Sequence, residues 1–200
     1  ITNIKKQLKE ASKNREVNRQ QRLKSNLPII SLVGYTNAGK STLMNQILKN
    51  NKVNDDKHVF EKDMLFATLN TSLRVAQFND QQSFLLTDTV GFVSKLPTFL
   101  VESFKSTLEE ITYSDLILIV VDASNNNLEL QLSTTHQIIK ELKSENIRTL
   151  TVFNKMDKVT DEQRLQLIPY FKDTFLMSAL NPQDISNLLD VVQEMLSQKK

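Results

Sequence analysis

The 200-residue sequence predicts an α/β fold, a mostly parallel six-stranded sheet with helices on both faces, preceded by a basic N-terminal helix. Short apolar runs alternate with segments of helical periodicity, which is typical of a parallel sheet covered on both sides. The chain has only three glycines, Gly34, Gly39 and Gly91, and all lie in loops that follow predicted strands. Because glycine allows unusual backbone angles and close approach to a ligand, these loops are expected to bind one.

Residues 1–26 contain no Gly or Pro and place Ile1, Ile4, Leu8 and Ala11 at helical spacing, so they are predicted to form a helix that Pro28 ends. Strands are predicted at 29–33, 72–78, 83–87, 116–121, 147–153 and 174–177, the second and third joined as a hairpin at Asn79 and Asp80. Helices are predicted at 40–48, 97–112, 128–143, 161–169 and 184–197, and residues 49–69 as a long loop. The domain prediction is therefore a helical arm over 1–27 and one α/β domain over 28–200.

The composition is that of a soluble globular protein, with 24% charged and 40% hydrophobic residues. Without cysteine the chain has neither disulfides nor thiolate metal ligands, which fits a reducing compartment. No apolar run approaches the ~18 residues of a membrane span. The chain begins with Ile1 rather than Met, and we interpret it as a fragment of a longer protein.

Charge is unevenly distributed. The arm, residues 1–27, has eight Lys or Arg and two Glu, a net charge of +6, whereas the remaining residues have 17 basic and 21 acidic groups, a net charge of −4. A basic arm on a mildly acidic domain favours a polyanionic partner such as RNA. The alternative is a solvated helix face with no partner.

A phosphate-binding motif follows the first strand. The run Gly34-Tyr35-Thr36-Asn37-Ala38-Gly39-Lys40-Ser41 matches G-x-x-x-x-G-K-[ST] and opens a helix. This context identifies a P-loop and predicts the three-layer sandwich of P-loop NTPases. Backbone N–H groups of the loop and the helix N-terminus would cradle the phosphates. Lys40 would reach the β- and γ-phosphates, Ser41 would ligate Mg²⁺, and Thr42 would lie near the α-phosphate.

A second motif, Asp88-Thr89-Val90-Gly91, follows the strand at 83–87. Asp88 is expected to hold Mg²⁺ through water, and the Gly91 N–H is expected to bind the γ-phosphate and sense its loss. Alone this pattern is weak, but at this distance from a P-loop it is specific.

The third and fourth motifs concern the base. In Asn154-Lys155-Met156-Asp157 a carboxylate can accept hydrogen bonds from the ring N–H and exocyclic amine of guanine, an arrangement that adenine lacks. Asp157 therefore favours GTP over ATP, with Asn154 bracing the loop and contacting the purine and the Lys155 stem covering the base. A backbone N–H of Ser178-Ala179-Leu180, after the last strand, could meet the guanine oxygen.

Four such motifs in this order, each at the carboxyl end of a strand, resemble the GTPase domains of the translation-factor type. The match to the HflX GTPases is closer, and it rests on residues 33–42, 65–69, 86–93, 95–97, 106–110 and 121–124. It covers roughly residues 20–197, and the arm is similar to the helical end of that family's N-terminal domain. The resemblance implies a cytoplasmic GTPase that uses GTP and Mg²⁺, binds the large ribosomal subunit and can split stalled or idle ribosomes. We expect the protein to be a monomer.

By the same resemblance Thr68 would be the switch threonine that ligates Mg²⁺ when GTP is bound. The sequence departs from the family at Asn70-Thr71-Ser72-Leu73, where an Asp-Pro-Thr-Thr type of run is more common. The position of this switch residue is therefore less firmly predicted than the P-loop.

Two positions bear on catalysis. Phe92 stands where many small GTPases have the glutamine that orients the attacking water, so we expect slow intrinsic hydrolysis, although the ring could also simply pack under a helix. Asn37 occupies the place of an asparagine that helps bind K⁺ in cation-dependent GTPases, or it is merely tolerated in a tight loop. Arg74 is the nearest candidate for an arginine finger within the chain.

Other interpretations remain open at this point. One is the GTPase domain of a tRNA-modification or rRNA-maturation enzyme, which residues 66–69 and 95–97 argue against. Another is a nucleotide-binding scaffold with negligible turnover, which the intact Lys40, Ser41 and Asp88 argue against. His58 and His136 have no metal-site context, and Asp122, at the end of a strand, is interpreted as structural.

Overall fold

The computed structural model describes residues 27–50, 72–89, 91, 109–170 and 174–198. In these ranges the strands are β1 Ile29–Val33, β2 Ser72–Gln77, β3 Ser83–Asp88, β4 Leu116–Asp122, β5 Arg148–Asn154 and β6 Thr174–Leu176. The α-helices are α1 Lys40–Asn50, α2 Leu128–Glu141, α3 Asp161–Leu167 and α4 Pro182–Ser197. Short 3₁₀ helices cover Glu109–Tyr113, Met156–Lys158 and Ile168–Tyr170.

The six strands form one sheet in the order β2-β3-β1-β4-β5-β6. Only β2 is antiparallel to its neighbour, and the pairs β1–β3, β1–β4, β4–β5 and β5–β6 are parallel. All residues of β1 and β4 are buried, as expected for central strands of a parallel sheet with both faces covered. The mostly parallel six-stranded sheet predicted from the sequence is confirmed.

Successive residues of the central strands point into two different cores. Leu118 and Val120 of β4 join a cluster with side chains of α1 and α4, whereas Ile117 and Ile119 join a cluster with α2 and α3. This alternation is the two-residue period of a strand. It confirms the three-layer arrangement, with α1 and α4 on one face of the sheet and α2 and α3 on the other.

Several helix ends differ from the predicted ones. Helix α4 begins at Pro182, two residues before the predicted start, because the Asn181 side chain accepts the Gln183 N–H at 3.0 Å and proline suits the first helical position. Helix α3 ends at Leu167, ahead of the predicted 169, and the chain continues as a 3₁₀ turn that contains Pro169. Helix α1 extends to Asn50, two residues beyond the predicted end.

The predicted hairpin forms, but its turn is longer than Asn79 and Asp80. Phe78 N–H donates to the Gln82 carbonyl and Gln81 N–H to the Phe78 carbonyl, both at 2.9 Å. Gln81 has φ of 69°, a left-handed conformation that is uncommon for glutamine and is not predicted by the sequence. The Asn79 amide also donates to Ser186 O at 3.0 Å, which attaches the turn to α4.

Part of the sequence prediction lies outside the described residues: the arm over 1–26, most of the loop at 49–69 and most of the helix at 97–112. At the end of that last segment, Glu109–Tyr113 is a 3₁₀ helix rather than the α-helix predicted up to 112. In the part of the chain that the structure describes, no helix is both long and apolar enough to cross a membrane.

Candidate functional site

The predicted site residues gather at one edge of the sheet. Because β1, β3, β4, β5 and β6 are parallel, the loops after them leave the same edge. The four motifs lie in the loops after β1, β3, β5 and β6. This carboxyl edge is where open α/β sheets bind their ligands.

The backbone of the P-loop, residues 34–41, requires glycine at two positions. Gly34 has φ of 148°, and a Cβ there would lie 2.1 Å from the Val120 carbonyl oxygen. Gly39 has φ of 94°, and a Cβ there would lie 2.3 Å from the Asn154 amide nitrogen. Asn37 also takes a left-handed conformation, with φ of 62°. The two glycines are thus required by close contacts with β4 and with the last residue of β5.

Lys40 lies at the start of α1 and is buried beneath the P-loop. Its Nζ donates to Gly34 O at 3.2 Å and to Tyr35 O at 3.0 Å. Burial lowers the pKa of Lys40 to about 8, and the nearby Asp88 carboxylate only partly opposes that shift. An ammonium group whose charge is so weakly compensated is well suited to receive phosphate oxygens.

Two predicted metal ligands are adjacent. Ser41 Oγ donates to Asp88 Oδ2 at 2.6 Å, and Asp88 is fully buried at the end of β3. The Thr89 hydroxyl donates to Leu32 O at 2.7 Å, which fixes the loop after β3 against β1. Hydroxyl and carboxylate oxygens are the donors that Mg²⁺ prefers, so this pair fits the ion. The third predicted ligand, Thr68, lies outside the described residues.

Gly91 lies against the P-loop. A Cβ at this position would be 2.8 Å from Thr36 Cγ2 and 3.1 Å from Lys40 Nζ. The second glycine motif is therefore close to the lysine that is predicted to bind phosphate, whereas its neighbour Phe92 is not among the described residues. Thr42, in the first turn of α1, is half-buried.

Asn154 and Lys155 bond the loop after β5 directly to the P-loop. The Asn154 amide donates to Ala38 O at 3.0 Å, and its oxygen accepts the Ala179 N–H at 2.9 Å. Lys155, with φ of 64°, donates from Nζ to Asn37 O at 2.7 Å. Three of the predicted motifs are thereby held together by two consecutive side chains.

The predicted guanine acceptor, Asp157, is exposed at the same edge. The Ser178 hydroxyl donates to Asp157 Oδ1 at 2.5 Å, and the Leu180 N–H donates back to that hydroxyl at 3.3 Å. Asp184, in the first turn of α4, accepts the Ser178 N–H at 2.8 Å. Asp184 was not predicted from the sequence, although its place three residues after the cap residue Asn181, where the helix dipole favours an acidic side chain, could have indicated it.

The ion pair of Asp122 with Lys155 was not predicted from the sequence either. Asp122 Oδ2 lies 2.7 Å from Lys155 Nζ. The register pairs Asp122 with Asn154 across β4 and β5, so an alignment of the two strand ends could have found the contact.

Within the described part of the chain, no hydrogen bond or ion pair joins Arg74 or His136 to the four motifs, and His58 lies outside the described residues. Arg74 lies within β2 opposite Leu86, and its Nη1 donates to Leu73 O at 3.1 Å. His136 is exposed on α2. No group of three or more His, Cys, Asp or Glu that could hold a metal occurs among the residues described.

Comparison with known proteins agrees with this geometry. The model of the family described as 50S ribosome-binding GTPase matches residues 29–155. GTPase HflX of Lacrimispora saccharolytica is 46% identical over 154 residues, which are 77% of this chain and 35% of that protein. GTPase HflX of Alkalihalophilus pseudofirmus is 41% identical over 198 residues, which are 98% of this chain and 44% of that protein. The chain thus spans less than half the length of either relative.

A solved structure shares the fold. It is a GTP-binding protein of the hyperthermophilic archaeon Sulfolobus solfataricus, crystallised with GDP; the match has a TM-score of 0.66 at 25% identity and covers 98% of this chain and 62% of that one. The family match, the two relatives and the four motifs at one sheet edge agree. The chain belongs to the family of 50S ribosome-binding GTPases and, within it, to the HflX GTPases.

Proposed function

We propose that this domain binds GTP with Mg²⁺, hydrolyses it to GDP and phosphate, and acts as a switch on the large ribosomal subunit. One observation carries the proposal: the P-loop and the base loop are directly bonded to each other, through Asn154 to Ala38 O at 3.0 Å and Lys155 to Asn37 O at 2.7 Å. A ligand that fills both loops must have phosphates and a purine a fixed distance apart. A guanine nucleotide meets that requirement.

On the phosphate side, Lys40 would exchange its two backbone carbonyl partners for oxygens of the β- and γ-phosphates. Ser41, Asp88 and Thr68 are the residues that would hold Mg²⁺, Asp88 through water. The ion would supply positive charge to the phosphates when bound. Gly91, beside Lys40, would donate its N–H to the γ-phosphate and so report its loss.

On the base side, Asp157 would accept from the guanine ring N–H and amine. The Ser178 hydroxyl already donates to one oxygen of this carboxylate and so fixes its orientation. Asn154 would contact the purine while bracing the loop, and the guanine oxygen would accept a backbone N–H of Ser178-Ala179-Leu180. In this structure the Ala179 N–H donates to Asn154 Oδ1 at 2.9 Å and the Leu180 N–H to the Ser178 hydroxyl at 3.3 Å. A site with these donors and acceptors would discriminate against adenine, because adenine has no pair of N–H donors for the Asp157 carboxylate.

Catalysis would come from positioning and charge stabilisation rather than from a covalent intermediate. Asn37 would help bind K⁺ beside the β- and γ-phosphates and thereby add positive charge. Phe92, in place of a water-orienting glutamine, makes slow intrinsic turnover the expectation. The ribosome would supply the group that orients the attacking water, which the isolated domain lacks.

The ribosomal part of the proposal rests on the family. The matching model is described as 50S ribosome-binding, and the relatives in question are HflX GTPases. We propose that the whole protein is a monomer that acts in the cytoplasm, where ribosomes are, in ribosome splitting or rescue. The basic arm over 1–27, with its net charge of +6, would contribute affinity for ribosomal RNA.

The test is phosphate release by the full-length protein in K⁺ or Na⁺ buffer, with and without purified large ribosomal subunits. We expect slow turnover alone and a stimulation of about tenfold or more by the subunits, because an activator that completes a GTPase site gives effects of at least this size. Small ribosomal subunits serve as the control. Tight GTP binding without stimulation would contradict the ribosomal role, and equal rates in K⁺ and Na⁺ would contradict the role of Asn37.

A further inference from the structure

A small charged network joins the loop after β4 to the loop after β5 and to the P-loop. Lys155 Nζ lies 2.7 Å from Asp122 Oδ2 and 2.7 Å from Asn37 O. The other Asp122 oxygen accepts the Ser124 N–H at 3.0 Å and the Ser124 hydroxyl at 2.7 Å. Both oxygens of the carboxylate are therefore held, and the ammonium group is fixed between two acceptors.

The ion pair is largely withdrawn from water, with side-chain exposures of 19% for Lys155 and 13% for Asp122. In such a setting the loss of one charge leaves the other poorly solvated, which disturbs its surroundings far more than the loss of a surface pair. Without Asp122, the ammonium of Lys155 would turn towards solvent or towards other acceptors. Its bond to Asn37 O would then be lost or weakened.

The two backbones that this network joins are both strained. Asn37 has φ of 62° and Lys155 has φ of 64°, left-handed conformations that cost energy in residues other than glycine. Such conformations persist only where surrounding contacts hold them. The bond from Lys155 Nζ to Asn37 O joins these two residues, and Asp122 fixes the atom that makes the bond.

We propose that Asp122 is a positioning residue for nucleotide binding, which acts through Lys155 to hold the base loop and the P-loop at the spacing that a guanine nucleotide spans. The inference rests on the proposed function and assigns a functional role to a residue that is interpreted as structural from the sequence. Because none of the bonds of this network involves Gly91, the residue proposed to sense the γ-phosphate, Asp122 would slow the dissociation of GDP and GTP alike. It would not select between them.

The network also reaches α3. The Ser124 carbonyl accepts the Gln163 side-chain amide at 3.0 Å, and Gln163 is in turn fixed by the capping box that it forms with Thr160. Ser124 thus bonds both Asp122 and Gln163, and its position is fixed relative to α3. Asp122 is therefore also anchored, through Ser124, to the start of α3.

The experiment measures the dissociation rate of a fluorescent GDP analogue, and of a fluorescent non-hydrolysable GTP analogue, in the 200-residue domain. Asp122→Asn keeps the shape and an oxygen for Ser124 but removes the charge. We expect it to raise both dissociation rates by at least about tenfold. Asp161→Asn removes a charge from an exposed side chain at the start of α3 and should leave both rates within about twofold of the parent.

A double-mutant cycle separates positioning from a general loss of structure. If Asp122 acts through Lys155, then Asp122→Asn combined with Lys155→Met should dissociate nucleotide no faster than Lys155→Met alone. Additive effects would overturn the proposal, and so would an unchanged rate in Asp122→Asn. If Asp122→Asn does not fold, Ser124→Ala decides, because it loosens the carboxylate without removing its charge and should still raise the rates severalfold.

The failure of this inference is distinguishable from failure of the proposed function. A parent domain that binds neither analogue saturably would contradict guanine nucleotide binding itself and the inference with it. A parent that binds both, with variants indistinguishable from it, would contradict only the role of Asp122.

Discussion

At the scale of single residues, Gly34, Gly39 and Asp122 show what a sequence pattern can and cannot reveal. The two glycines were predictable because their spacing before Lys40 leaves few structural interpretations. Their contacts with Val120 and Asn154 were not, because those depend on strands far apart in sequence. The contact of Asp122 was not predicted for the same reason: its partner Lys155 is 33 residues away and is brought near only by the β4–β5 register.

Gly39→Ala should weaken GDP binding by at least about tenfold, because the added Cβ would lie 2.3 Å from the Asn154 amide at a φ of 94° that alanine avoids. Titration of GDP followed by calorimetry measures the effect. Gln81→Gly is the control, since φ at Gln81 is 69° and this exposed turn position lies in the hairpin. It should retain the parent affinity. Equal affinities of all three proteins would contradict the assigned P-loop geometry.

The lowered pKa of Lys40 predicts that nucleotide binding depends on pH. Burial lowers this pKa to about 8 in the free domain, and bound phosphates would raise it. The affinity for GDP should therefore be fully present below pH 8 and should decline as the pH rises through 8 towards the bound-state pKa. Binding near pH 8 should take up protons, which calorimetry in two buffers of different ionisation enthalpy detects. Proton release, or no net proton transfer, would contradict this expectation.

At the scale of elements, strands were easier to predict than helix ends. Buried, mainly apolar runs such as Ile29–Val33 are readily recognised as strands, because a strand of a sheet covered on both faces is apolar at nearly every position. Helix ends depend on local capping. Asn181 and Pro182 set the start of α4, whereas the predicted start relied on apolar periodicity alone.

A buried chain of hydroxyl groups crosses the sheet. Ser31 Oγ of β1 lies 2.7 Å from Thr87 Oγ1 of β3 and 2.6 Å from Ser114 Oγ before β4. Ser31→Ala would deprive two buried hydroxyls of this partner and should lower the free energy of unfolding by about 1–3 kcal/mol. Denaturant titration measures it. Ser133→Ala, at an exposed position of α2, should change stability by no more than about 0.5 kcal/mol, and a similar effect of both variants would contradict the role of the chain.

At the scale of the whole molecule, alternating strands and helices predicted the layered sheet because a right-handed crossover leaves few ways to connect parallel strands. The same alternation predicted that Lys40, Asp88 and Asp157 would lie at one edge. The direct bonds among the loops are a tertiary property that no local pattern contains. The proposed ribosomal partner rests on the family match and not on the geometry of this edge.

Nucleotide binding should also stabilise the whole domain. A ligand that binds only the folded state at about 100 times its dissociation constant adds about 2.7 kcal/mol to the free energy of unfolding. GDP with Mg²⁺ should therefore raise the midpoint of thermal unfolding, which calorimetry records, and the shift should be smaller in Asp122→Asn at the same GDP concentration. A GDP-independent midpoint would contradict binding across the loops.

The central claim is that the edge of the sheet forms one guanine nucleotide site, and its most direct test is the affinity of the domain for GDP and for ADP in Mg²⁺ buffer by isothermal titration calorimetry. The account predicts that GDP binds at a single site at least about 100-fold more tightly than ADP, because Asp157 and its neighbours pair only with guanine. Asp157→Ala should remove most of that preference. Equal affinity for the two nucleotides, or no binding of GDP, would contradict the account.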